Sequence, residues 1–160
     1  MTLVRKCLVA AGLCAAAAGQ TLKVPVSEAK VHGTGILVLN LESPQGKEPA
    51  ALQWDLAVPP VVAIEPADIA LGTAAEAAEK SVNCAVKSGK PSESGPVRYT
   101  CILAGGVHSI SNGTIASVRY RVREATEGAP IRVGIENILA VFANLRPVAL
   151  PDVDAVIRVQ

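Results

Sequence analysis

The stretch Thr114 to Glu124 alternates without a break. Ala116, Val118, Tyr120 and Val122 fall on one side, and Ser117, Arg119, Arg121 and Arg123 on the other. A period of two is the mark of a half-buried strand, because successive side chains leave a strand on opposite faces. The same pattern recurs along the chain. Leu37, Leu39 and Leu41 oppose Ile36, Val38, Asn40 and Glu42; Leu52, Trp54, Leu56 and Val58 oppose Ala51, Gln53, Asp55 and Ala57. Further strands are predicted over 21–26, 61–64, 81–87, 97–104, 131–135, 138–142 and 155–159. Pro25 lacks a backbone N–H and places the first of these at a sheet edge.

Breakers punctuate the pattern. Ser43 to Pro49, Pro59-Pro60, Ser88 to Pro96 and Ser111-Asn112-Gly113 are turn-forming connections. The Ala-rich stretch 67–79 is the least strand-like and predicts a helical turn or two. Short strands with turn signals every 8–12 residues predict an all-β fold, an antiparallel β-sandwich of about nine strands. The length of 160 residues suits one such domain.

The first 19 residues stand apart. Arg5 and Lys6 precede an apolar run from Cys7 to Ala18, and the small residues Ala16 to Gly19 suit a signal peptidase. This run is too short for a membrane span, which needs about 20 apolar residues. Residues 1–19 are therefore expected to be a secretory signal and 20–160 the domain, exported to the extracellular space or periplasm. Cys14 follows the bulky Leu13, which argues against lipid attachment. Loss of Arg5 and Lys6 takes the formal charge from +1 to −1. Neither value provides the basic footprint of a nucleic-acid binder or of a protein held on an anionic membrane.

Export leaves two cysteines, Cys84 and Cys101. If 81–87 and 97–104 form a hairpin centred on Ser92-Glu93, these two residues face each other across the ladder. Directly opposed Cα atoms lie about 4.5–5.5 Å apart, within reach of a disulfide. No third Cys or nearby His supports a metal site, and no Cys-x-x-Cys supports a redox pair. A structural disulfide is the expected outcome.

Four segments carry a family resemblance: 19–26, Ala50 to Leu56 around Leu52-Gln53-Trp54, Tyr99 to Gly105, and Ile110 to Val122 around Gly113-Thr114-Ile115-Ala116. Together they make residues 20–160 resemble a cohesin-type domain of the secreted bacterial kind. Val58-Pro59-Pro60 stands where typical members carry Asp-Pro, and Ser43 to Pro49 looks inserted. The resemblance implies a nine-stranded jelly roll, related in shape to cellulose-binding modules, with a noncatalytic role. It implies a protein partner, dockerin-like or on a cell surface, or else a polysaccharide.

Candidate chemistry is sparse. His32 and His108 lie in predicted loops with no nucleophile motif beside them, so no catalytic residue is assigned. Neither a metal-ligand spacing nor a cofactor motif is present; Asp152 and Asp154 could share a face and hold Ca²⁺, but a solvated turn is the favoured reading. Trp54 and Tyr120 are in register with core positions and Tyr99 shares a face with Cys101, so only Phe142 is free to stack on a sugar. Two candidate binding surfaces remain: the basic row Arg119, Arg121 and Arg123, and the apolar pair Ile36 and Val38 opposite the Leu37–Leu41 face. Asn112-Gly113-Thr114 also fits a glycosylation sequon, though a turn accounts for it.

Overall fold

A computed structural model describes residues 19–89 and 95–160. The predicted signal segment and the centre of the 88–96 loop, including Ser92-Glu93, lie outside the described residues.

The alternating segments form strands in which alternate side chains turn inward. In chain order these are β1 (Thr21–Lys23), β2 (Ser27–Ala29), β3 (Thr34–Glu42), β4 (Ala51–Val58), β5 (Val62–Ala63), β6 (Ile69–Leu71), β7 (Ser81–Ser88), β8 (Val97–Ala104), β9 (Gly113–Val122), β10 (Pro130–Val141), β11 (Pro147–Ala149) and β12 (Val153–Val159). A 3-10 turn, Pro66–Asp68, joins β5 to β6, and a short helix, α1 (Thr73–Ala77), falls in the Ala-rich stretch. The described residues thus contain twelve strands where about nine were expected. β2, β6 and β11 fall where no strand was expected, β6 inside the stretch 67–79 that predicted only helical turns, and the strands expected over 131–135 and 138–142 run together as β10.

Two sheets stack face to face. One runs β1-β3-β9-β5, with β6 also on β9; the other runs β2-β12-β10-β4-β8-β7, with β11 also on β10. This is a jelly-roll sandwich. One pairing departs from the expected antiparallel order, since β2 lies parallel to β12. Its cause is local. At Pro25 the chain leaves the edge of the five-stranded sheet, crosses over and joins the free edge of the seven-stranded one.

The inward sets fill the space between the sheets. Leu37, Leu39, Leu41, Trp54, Leu56, Val118, Val133, Ile135 and Ile157 are all fully buried. Each such aliphatic side chain contributes about 1.5–3 kcal/mol on leaving water. Two tyrosines tie the sheets together. Tyr120 of β9 meets the Ser27 hydroxyl of β2 at 2.7 Å, and Ser27 donates to the Ile36 carbonyl at 3.0 Å. From the opposite sheet, the Tyr99 hydroxyl of β8 donates to the Ile64 carbonyl at 2.6 Å, just after β5. Gly35, the cross-strand partner of Tyr120, leaves room for that ring; a Cβ there would lie 2.3 Å from the Tyr120 hydroxyl.

Cys84 and Cys101 are direct partners in the β7–β8 ladder and form the expected disulfide, with Cα atoms 4.1 Å apart. The bridge fastens the edge strand β7 to the body of the sheet. Replacing both cysteines by Ala is expected to lower unfolding free energy by about 3 kcal/mol, read as a shift of the urea midpoint. The Gly35→Ala variant, through overpacking against Tyr120, is expected to lose about 1–3 kcal/mol in the same assay.

Candidate functional site

Alternation turns one set of side chains inward and the other outward, so each sheet presents an outer face to solvent. On the five-stranded sheet that face is built by β3 and β9. Ile36 pairs with Arg119, Thr34 with Arg121 and Val38 with Ser117. The two surfaces that the sequence suggested separately, the arginine row and the Ile36–Val38 pair, are therefore one surface. Ile36 is 53% exposed and Val38 half-buried. Arg119, Arg121 and Arg123 are all exposed. They border an open cleft of about 480 Å³ that Thr34, Glu65 and Asp68 also line. The carboxylate of Asp68 accepts the Glu65 backbone N–H at 2.9 Å and so caps the 3-10 turn. Arg123 is engaged within the molecule.

The outer face of the seven-stranded sheet has a polar centre that strand alternation did not reveal. Asp55 of β4 points outward, yet its side chain is only 2% exposed. Three neighbours cover it. Lys87 donates to Oδ2 at 2.7 Å, Asn137 donates to the same oxygen at 2.9 Å, and the Thr100 hydroxyl donates to Oδ1 at 2.6 Å. Thr100 is the ladder partner of Asp55. The other two come from breaks in the ladders. One bulge lies between Val86 and Ser88 in β7 and leaves Lys87 as the extra residue. Another lies between Glu136 and Leu139 in β10, where Asn137 takes φ 51°, a left-handed conformation that Asn tolerates better than most residues. Bulges re-aim side chains, and these two aim a Lys and an Asn at one carboxylate.

Glu136 is the other ladder partner of Asp55, so two carboxylates stand side by side. Arg98 answers the second by pairing with Glu136. Farther along, Arg132 pairs with Asp154 at 3.0 Å. This face neutralises its own charges. For Asp55, loss of water on burial works to raise the carboxyl, but the hydrogen bonds from Lys87, Thr100 and Asn137 and the Lys87 charge outweigh it. The net effect holds the group below its ordinary 3.8. Burial pushes the Tyr99 and Tyr120 hydroxyls up.

The remaining candidates are dispersed. His32 lies in the β2–β3 turn and His108 in the β8–β9 loop, the latter 3.9 Å from Glu79. Asp152 accepts the Asn137 backbone N–H at 2.8 Å while Asp154 turns to Arg132, so the two serve different partners. Among the described residues, no three His, Cys, Asp or Glu side chains converge as a metal site. Trp54, Tyr99 and Tyr120 are buried as their register predicted, and Phe142 is half-buried. The Asn112 side chain makes two hydrogen bonds to the Ser43 backbone, at 2.7 and 3.1 Å, and so braces the turn before β9.

With the geometry in view, solved structures supply a comparison. The sixth cohesin of scaffoldin B from Acetivibrio cellulolyticus, solved in complex with a dockerin, aligns over 89% of this chain and 100% of its own, with TM-score 0.70 and 12% identity. A cohesin module of a family 33 glycoside hydrolase from Clostridium perfringens aligns over 89% and 97%, with TM-score 0.61 and 16% identity. A non-cellulosomal cohesin from the archaeon Archaeoglobus fulgidus aligns over 89% and 92%, with TM-score 0.64 and 14% identity. No protein-family model matches the sequence, and no curated protein does. The chain has the cohesin fold, as its strand motifs suggested.

Asp55 gives this face a pH signature. Its folded value is depressed, so its stabilising contribution is complete above the unfolded value near 3.9 and is lost as pH falls through the lower folded value. The Asp55→Asn variant is expected to be less stable than the native chain at pH 7 and to show a smaller loss between about pH 5 and pH 2. Urea midpoints measured across that range check both statements.

Proposed function

We propose that this chain is an exported, noncatalytic module that binds a protein partner of dockerin-like or surface-assembly type on one of its sheet faces. The observation that carries the reading is the fold. It is shared over nine-tenths of the chain with cohesin modules, several of which were solved with a dockerin bound. The Cys84–Cys101 bridge supports an oxidising compartment. The dispersed histidines and the self-neutralised charges of the seven-stranded face support a binding role over a catalytic one.

A polysaccharide is the alternative partner. Flat glycan platforms stack sugars on exposed rings, and here Trp54, Tyr99 and Tyr120 all sit in the core. That distribution favours the protein partner.

The test is capture from the culture supernatant of the source organism on immobilised full chain, repeated with one variant of each face. These are Arg121→Glu on the five-stranded sheet and Ile102→Asp on the seven-stranded sheet. One specific protein, retained by the native chain and lost from one face variant but not the other, is the expected result. Capture of no protein, together with binding of insoluble or soluble glycans, overturns the reading.

A further inference from the structure

A strand that ends a sheet keeps one row of backbone N–H and C=O groups without a ladder partner. Most of the strands that close the two sheets here are short: β1, β2 and β6 have three residues each and β5 has two. β7 is the exception. It closes the seven-stranded sheet with eight residues, and its pairing with β8 is regular from Ser81 to Val86, before the bulge at Lys87.

The direction of its backbone groups follows from the disulfide pair. In an antiparallel ladder, partners about 4.5 Å apart exchange no hydrogen bonds, whereas partners about 5.5 Å apart exchange two. The Cα atoms of Cys84 and Cys101 are 4.1 Å apart. The backbone groups of Cys84 therefore point away from β8, and by alternation those of Val82 and Val86 do as well. β6 and the 3-10 turn approach β7 from the other sheet, but among the described residues none makes a backbone hydrogen bond to this outer row. The side chains of the same three residues lie at the rim of the core. Val82 and Cys84 are half-buried there, and Val86 is 54% exposed. Unpaired backbone and partly exposed apolar side chains both gain from one more strand. The disulfide already fastens β7 to β8, so the edge needs little ordering to accept one.

We propose that the added strand is β7 of a second copy of this chain, antiparallel about a two-fold axis at Cys84. The register favours a second copy because the edge is complementary to itself. With Cys84 opposite its own counterpart, Val82 falls opposite Val86 at both ends, Asn83 opposite Ala85 and Ser81 opposite Lys87. Aliphatic side chains meet each other and no like charges face. The outward groups of Val82, Cys84 and Val86 then exchange hydrogen bonds with the same three residues of the second copy. Such a contact is isologous and closes as a dimer. It joins two seven-stranded sheets edge to edge and leaves both outer faces of each copy open, so it does not depend on what those faces bind. One ladder buries less than a standard interface, and the dimer is accordingly weak, with a dissociation constant of roughly 10 µM to 1 mM.

The test follows the purified full chain, in its oxidised form, from about 10 µM to about 1 mM by sedimentation equilibrium and by NMR amide exchange. The mass is expected to rise from that of one chain toward that of two. Exchange at Val82, Cys84 and Val86 is expected to slow at least about twofold over the same range. Val86→Pro removes one outward N–H and takes nothing from the β8 ladder. This variant is expected to stay monomeric, with a urea midpoint within about 0.5 M of the native one. Should it unfold, Val82→Lys/Val86→Lys decides, since it sets two lysines opposite each other at both ends of the pairing and is expected to abolish the dimer. Ile102→Asp, on the outer face of the same sheet, is expected to dimerise as the native chain does. A native chain that is monomeric at about 1 mM overturns the proposal. So does a folded Val86→Pro variant that dimerises like the native chain. Slowed exchange of the three amides only when a captured partner protein is added also overturns it, in favour of a foreign strand at this edge.

Discussion

A sandwich of two sheets holds only if the side chains between them fill the gap, and in this chain that demand consumes nearly every ring. Trp54, Tyr99 and Tyr120 lie inside among Leu, Ile and Val. The two tyrosines also bind across the gap, one from each sheet, with hydroxyls on Ser27 and Ile64. Everything that follows on the outside depends on this allocation. With its rings spent on the core, the surface has charge, hydrogen bonding and small aliphatic patches as its means of recognition.

Those means are divided unequally. The seven-stranded face builds a closed polar network around Asp55, whose buried carboxylate would be costly without its three donors. A network satisfied in this way rigidifies the sheet. The five-stranded face sets exposed guanidinium groups next to Ile36. The disulfide at the far edge acts on neither face directly. It secures β7, and β7 supplies Lys87 to the Asp55 network.

Much of this architecture could be read in the sequence. The inward sets Leu37, Leu39, Leu41 and Ala116, Val118, Tyr120 were correct because a period of two leaves little freedom once one face is buried. The Cys84–Cys101 pairing followed from hairpin symmetry even though a bulge at Lys87 breaks the ladder, because the bulge lies beyond Val86, on the loop side of the cysteine pair. Pro25 marked the first strand as an edge, but the sequence pattern did not indicate β2 or its parallel seat on β12, since the partner lies 130 residues away.

Periodicity along the chain thus determined the longer strands, their core residues and the class of fold, because each depends only on which side of its own strand a residue takes. Two matters were decided by the tertiary structure alone. It brought Ile36 beside Arg119, which joined two surfaces into one, and it gathered Lys87, Thr100 and Asn137 around Asp55. Both are meetings between strands distant in sequence, and two of the three donors to Asp55 arrive through bulges that displace a residue from the simple alternation. A one-dimensional pattern carries the facing of each strand but not its neighbours, and neighbours are what make a site.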